Sequence, residues 1–199
     1  MTHPGQTPPL RPAVFFDRDG TLIEEEHYLS DPARVRLHAG AVEAVRRARA
    51  LGASVVAVTN QSGIGRGMYT EADYERVRAR VDALFEEAGA PLDATYHCPH
   101  APEAGCACRK PGIALYQQAA SEHALDLAGS LFVGDRLRDV QPAARFGGLG
   151  VLVPTAETPF AELERGKTEF RVSTTLPAAV ERFAVRLAER AAAAGDGRD

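Results

Sequence analysis

Residues 13–22 read AVFFDRDGTL. Four apolar residues in a row, two of them aromatic, predict a short strand buried on both faces. The next positions turn abruptly polar: Asp17, Asp19 and Thr21, with Gly20 among them. Asp-x-Asp-Gly after a strand is, on its own, an ordinary polar turn as often as a site, because Asp and Gly both suit turns. The decision rests on whether other strands end the same way.

Working outward, SVVAVT (54–59) predicts a second buried strand, ATYH (94–97) a third, SLFVGD (130–135) a fourth and LGVLV (149–153) a fifth. EFRV (169–172) adds an edge strand. Helical patterns fall between them. GAVEAVRRARALG (40–52) ends on Gly52 as a stop, and TEADYERVRARVDALFEEAG (70–89) starts with Thr70 as cap and Asp73 three residues on. ALYQQAASEHAL (114–125), VQPAARFGG (140–148) and the Ala-rich stretch 176–194 are the others. Alternating strands and helices joined by short connections specify an α/β fold, a Rossmann-like parallel sheet flanked by helices. The expected organisation is a flexible arm over 1–12, one domain over 13–194 and a flexible tail over 195–199. No internal repeat is evident.

Ligands of such sheets bind outside the carboxyl ends of the strands. There the chain places Asp17 and Asp19, then Thr59, Asn60, Gln61 and Ser62, then Arg109 and Lys110, then Asp135, Arg136 and Asp139. Asp17, Asp19 and Asp135 converging would repel one another unless a cation sits between them. A site with oxygen donors and few carboxylates suits Mg²⁺, which leans on a substrate phosphate for further ligands. Lys110 and Thr59 would bind the phosphate oxygens. One carboxylate in line attacks phosphorus, and another two residues on protonates the leaving oxygen and then activates water. Asp139 has a plainer use, capping the next helix or orienting Arg136.

All three cysteines of the 199-residue chain fall in HCPHAPEAGCACRKP, residues 97–111. Cys98, His100, Cys106 and Cys108 make a complete tetrahedral set for a structural Zn²⁺, with no position left for a reacting water. His97 directly precedes Cys98 and would point away in an extended segment. The zinc loop, 97–110, has little apolar content, so a metal would replace a core and aim Arg109 and Lys110.

Composition bounds the rest. The formal net charge is −4 and 25% of residues are charged, which argues against a nucleic-acid partner. No stretch approaches the roughly 18 apolar residues of a membrane span, and the N-terminus lacks the apolar run of a signal peptide. The cytoplasm is the expected compartment, and clustered cysteines there point to metal or catalysis. A catalytically idle, zinc-stabilised binding module is the reading from another class. The intact Asp17 and Asp19 oppose it.

DRDGT, TNQSG, RKP and GDRLRD, in this order and at these strand ends, resemble the motifs of the haloacid dehalogenase superfamily of phosphatases. The resemblance runs from about residue 13 to about residue 155. It implies Asp17 as nucleophile, Asp19 as general acid and base, and Mg²⁺ held by Asp17, the Asp19 backbone carbonyl and Asp135. Thr59 and Lys110 would steady the phosphoryl group. The Cys-x-His…Cys-x-Cys loop before Arg-Lys-Pro is similar to one subgroup, small enzymes without a cap domain that act on a heptose bisphosphate or on histidinol phosphate. The motif spacings of roughly 40 and 50 residues leave no room for an inserted cap domain. TNQSGIGRG favours the sugar bisphosphate, with histidinol phosphate as the alternative; the shortness of the zinc loop is more like the histidinol enzyme. By the same resemblance Glu25, Glu26, His27 and Tyr28 form a substrate-facing loop. Asn60, Gln61, Ser62 and Arg136 contact the substrate, and Arg109 recognises a second phosphate. Arg136 stands where lysine is usual in the family, keeping the charge and changing the shape. The expected partner is a small-molecule sugar phosphate and the expected state a monomer.

Overall fold

The apolar run 13–16 lies within strand β1 (Arg11–Phe16), and its residues alternate between two cores. Val14 and Phe16 face one side of the sheet, Ala13 and Phe15 the other. In this computed structural model, which describes residues 10–195, the elements follow in the order α1 (Ala41–Ala50), β2 (Ser54–Asn60), α2 (Ser62–Gly65), α3 (Glu71–Glu87) and β3 (Ala94–Cys98). Then come α4 (Ala114–His123), β4 (Leu125–Gly134), α5 (Leu137–Val140), α6 (Pro142–Phe146), β5 (Leu149–Leu152), α7 (Phe160–Glu169), β6 (Arg171–Val172) and α8 (Leu176–Gly195). Single 3₁₀ turns occur at Pro32–Arg34 and Pro102–Ala104.

The six strands form one parallel sheet in the order β3-β2-β1-β4-β5-β6. Val45 of α1, Val77, Val81 and Phe85 of α3, and Val180 and Phe183 of α8 cover one face. Leu115, Tyr116 and Ala119 of α4 and Ala143 of α6 cover the other. Phe15 packs edge-on against Tyr116 and stacks on Phe132, with centroids 5.2 and 5.0 Å away. Burying a side chain of this kind stabilises by about 1.5–3 kcal/mol, so β1 is anchored on both sides.

Phe16 pairs with Ala57 of β2 and with Val133 of β4. This register brings the ends of β1, β2 and β4 to one rim. The 17–40 connection folds over the rim, held by the Ile23–Leu37 bridge, and no separate cap domain is inserted among the described residues. Thr70 and Asp73 form the expected reciprocal cap of α3: the Asp73 N–H donates to Thr70 Oγ1 at 3.2 Å and the Thr70 N–H to Asp73 Oδ2 at 2.7 Å. No helix among the described residues is long and apolar enough to cross a membrane.

Several expectations shift. Arg11 and Pro12, assigned to the arm, belong to β1, where Arg11 pairs with Leu125; residues 1–9 of the arm and 196–199 of the tail lie outside the described residues. The helix expected over 114–125 stops at His123, because Ala124 adopts a left-handed conformation (φ 53°), and Leu125 opens a strand longer than expected. The stretch 140–148 lies across two short helices, α5 and α6, with Pro142, which has no N–H to donate, opening the second. Helix α7 was not expected; its only buried residue is Gly166, so it presents almost no apolar stripe to read.

Candidate active site

The site grows from the strand ends. The Asp17 N–H donates to the Val133 carbonyl at 2.9 Å, fixing the exit of β1 against β4. Gly20 turns the chain with φ 79°, and a Cβ there would lie 3.0 Å from the Asp135 carboxyl carbon. Gly134 is tighter still, since a Cβ would come within 2.3 Å of Asp139 Cβ. These glycines let Asp17, Asp135 and Asp139 converge, with one carboxylate oxygen of each within 4.8 Å of the others.

Lys110 enters this cluster from below. Its Nζ donates to Asp17 Oδ1 at 2.5 Å and to the Val58 carbonyl at 2.6 Å, and lies 2.8 Å from Asp139 Oδ1. Burial would lower the Lys110 pKa, but Asp139 and Asp17 outweigh it and raise it. Burial, together with repulsion from Asp139, pushes Asp17 up to about 7. Asp135 rises to about 8, through burial and then Asp17 and Asp139. Asp135 Oδ1 is buried and has no hydrogen-bond partner among the described residues. An orphaned carboxylate oxygen beside two further carboxylates is a donor set that a small oxygen-loving cation such as Mg²⁺ fits.

Asp19 is held differently. Arg18 Nε and Nη2 donate to its two oxygens at 3.1 and 2.9 Å. Thr59 Oγ1 and Gln61 Nε2 donate to Oδ2 at 3.1 and 2.8 Å. Burial would raise the Asp19 pKa, but Arg18 and these donors hold it below the usual carboxylate value. Gln61 is fixed in turn by Tyr69, whose hydroxyl donates to Gln61 Oε1 at 2.6 Å.

A cavity of about 330 Å³ opens above these groups. Asp17, Asp19, Thr59 and Asp135 line it, as do Glu25, Glu26, His27, Tyr28, Asn60, Gln61, Ser62, Arg109 and Arg136. Lys110 is not on its wall; it is buried behind Asp17. Several lining groups are also tied to the protein. Asn60 exchanges two bonds with the Lys110 backbone, accepting at 2.9 Å and donating at 3.2 Å. Arg136 Nε donates to Glu162 Oε1 of α7 at 3.1 Å, and Tyr28 accepts from Arg66 at 2.7 Å. Arg109 differs: its Nη1 is buried without a partner among the described residues.

Sequence reasoning missed Arg18, Arg66, Tyr69 and Arg138 as cavity-lining residues, and the Lys110–Asp139 pair. Arg66 lies inside the quoted GIGRG stretch, so a signal existed for it. Asp139 also accepts from the Arg136 N–H at 3.0 Å, the capping use read from its position.

In the 97–110 loop, the Cys98, Cys106 and Cys108 sulfurs lie 3.2–3.5 Å apart, and His100 Nδ1 is 3.6 Å from Cys98 and 3.2 Å from Cys108. A tetrahedral Zn–thiolate site with bonds of about 2.3 Å has sulfur–sulfur edges of about 3.8 Å, so the four atoms sit near the corners such an ion requires. His97 turns elsewhere, with Nε2 2.6 Å from Glu71 Oε1.

Comparison with known proteins gives this site its class. A family model described as HAD-hydrolase-like matches residues 107–179. The chain is 42% identical over 129 residues to the D-glycero-beta-D-manno-heptose-1,7-bisphosphate 7-phosphatase of Helicobacter pylori, covering 64% of this chain and 75% of that one. It is 38% identical over 161 residues to the enzyme of the same name from Escherichia coli O6:H1, covering 76% and 85%. The crystal structure of D,D-heptose 1,7-bisphosphate phosphatase from B. bronchiseptica, complexed with magnesium and phosphate, superposes with a TM-score of 0.76 at 32% identity, covering 87% of this chain and 98% of that one. The chain belongs to the haloacid dehalogenase-like hydrolases, and the three relatives named above are phosphatases of a heptose bisphosphate.

Proposed function

We propose that this chain is a Mg²⁺-dependent phosphatase that removes the 7-phosphate of D-glycero-D-manno-heptose 1,7-bisphosphate. The observation that carries it is the match to relatives of that name over three quarters or more of their length, at 38–42% identity, joined to a cavity lined by Asp17, Asp19, Thr59 and Asp135. Asp17 attacks phosphorus and forms an aspartyl-phosphate as the sugar oxygen leaves. Asp19, ionised in the free protein, takes up a proton from solvent as the phosphate anion binds beside it, gives that proton to the leaving oxygen, then takes one from the water that cleaves the intermediate. Thr59 steadies the phosphoryl oxygens at the cavity wall, and the charge of Lys110, buried behind Asp17, supports them through the nucleophile that it holds. Mg²⁺, held by Asp17, Asp135 and the Asp19 backbone carbonyl, would neutralise phosphate charge.

A bisphosphate has a second dianion to place. Arg109 lines the cavity, and its planar guanidinium is suited to receive it. The Glu25–Tyr28 loop, Asn60–Ser62 and Arg136 shape the remaining wall. Zn²⁺ on Cys98, His100, Cys106 and Cys108 would fix the loop that delivers Arg109 and Lys110. The proposal includes a single domain over 11–195, acting as a cytoplasmic monomer on a small-molecule sugar phosphate. The test is a side-by-side measurement of kcat/KM on the heptose bisphosphate and on histidinol phosphate. The bisphosphate is expected to be the better substrate by at least about tenfold, the value of one charge-assisted contact. Faster turnover of histidinol phosphate would reverse the assignment.

A further inference from the structure

Arg18 stands between the two aspartates of the first strand end, yet it points inward and is one of the largest fully buried side chains. A buried guanidinium is costly unless its partners are well placed. Two are. Arg18 grips Asp19 with two nitrogens, and its Cζ lies 5.4 Å from the centre of the Tyr74 ring. Tyr74 is fully buried and its hydroxyl has no hydrogen-bond partner among the described residues. Its contribution therefore comes from the ring face. The same ring packs against His97 with centroids 4.1 Å apart and the planes tilted by 34°, and His97 Nε2 lies 2.6 Å from Glu71 Oε1.

The contacts of Asp19 show what this row of groups does. Thr59 and Gln61 reach only Oδ2. Among the described residues only Arg18 also reaches Oδ1, at 2.9 Å, so its two-nitrogen grip is the contact that fixes both oxygens of the carboxyl group at once. Tyr74 comes from α3 and His97 from the end of β3, where His97 pairs in register with Thr59. The residue left over from the metal-ligand set is thus the outer end of a row that leads back to Asp19.

We propose that Arg18 is a positioning residue that aims Asp19 at the leaving oxygen, and that the Tyr74–His97 pair holds Arg18 in place. This rests on the assignment of Asp19 as general acid. A misaimed acid costs most when the leaving group needs a proton and little when it does not.

The test compares kcat/KM on an alkyl phosphate, such as the heptose bisphosphate, with kcat/KM on 4-nitrophenyl phosphate, whose leaving group departs without a proton. The variants are Arg18→Lys, His97→Ala and Tyr74→Phe, with Asp19→Asn as reference. Zinc content and thermal unfolding establish that each is folded. His97 is partly exposed, so His97→Ala gives a folded reporter even if Arg18→Lys does not. Arg18→Lys keeps the charge but loses the fork, and is expected to lower the alkyl reaction roughly ten- to a hundredfold while sparing the aryl one. His97→Ala should show the same selectivity at about three- to tenfold. Tyr74→Phe should be native on both substrates, because only the ring is used. Equal losses on both esters, or no loss, in folded His97→Ala or Arg18→Lys would overturn the positioning role if Asp19→Asn still spares the aryl ester. Equal losses in Asp19→Asn would overturn the general-acid assignment beneath it.

Discussion

Truncating Asp139 to alanine leaves Lys110 buried with one carboxylate in place of two. In the native protein the Lys110 and Asp139 side chains are each 1% exposed and 2.8 Å apart. Removing one partner of a desolvated pair costs about 3–5 kcal/mol, because the surviving charge keeps its desolvation penalty. Lys110 retains Asp17 and the Val58 carbonyl, which places the loss near the lower end. Loss of the bond to the Arg136 N–H removes a helix cap worth about 1 kcal/mol, and relief of repulsion on Asp17 offsets part of that. The net expectation is about 3 kcal/mol. With a urea slope of about 2 kcal/mol/M, the midpoint should fall by about 1.5 M. Urea unfolding followed by circular dichroism, in magnesium-free buffer with zinc retained, measures it. Asp139→Asn keeps the volume and isolates the charge. Lys110→Met combined with Asp139→Leu should recover part of the loss. A loss below about 1 kcal/mol in Asp139→Ala would mean that the pair behaves as an exposed one, and would refute the reasoning.

Three further outcomes are expected. Asp17 and Asp135 have folded-state pKa values of about 7 and about 8 without a cation, above the unfolded value of about 3.9. The folded state therefore binds more protons, and metal-free stability falls as pH rises from about 4 to about 8. The gain in melting temperature on adding Mg²⁺ should accordingly grow from pH 5 to pH 8; a constant or shrinking gain in thermal scans would count against the cation site. Metal analysis of protein prepared without chelators should find about one zinc per chain. Cys108→Ser should lower that content and reduce activity through Arg109 and Lys110; zinc-free native protein would exclude the site. Arg109→Ala should lower kcat/KM on the bisphosphate about tenfold to a hundredfold more than on an aryl phosphate. Equal losses would show that Arg109 does not read a second phosphate.

What the sequence made legible follows from which interactions are local. Strands buried on both faces are continuous apolar runs, so VFF and VVAV stood out, and with them the polar residues that must follow at the rim. The α3 cap was legible because Thr70 and Asp73 are three residues apart. The unread features depend on contacts distant in the chain. Lys110 and Asp139 lie on different elements, and so do Arg136 and Glu162, which bond across 26 positions. Nothing in Asp-Arg-Asp tells whether the arginine turns to solvent or inward; inward, it meets the Tyr74 ring, supplied by the distant α3. Asn60, read as a substrate contact, also exchanges two hydrogen bonds with the Lys110 backbone, a contact that needs the 97–110 loop to be brought beside β2.

The central claim is that this cavity cleaves one particular phosphate from a heptose 1,7-bisphosphate. Phosphorus NMR of the purified protein with Mg²⁺ and that substrate tests it most directly. The expected result is loss of the 7-phosphate resonance, growth of inorganic phosphate in equal amount and an unchanged 1-phosphate resonance, with no change in the Asp17→Asn variant. Loss of the 1-phosphate first, or phosphate release by Asp17→Asn at a near-native rate, would contradict the account.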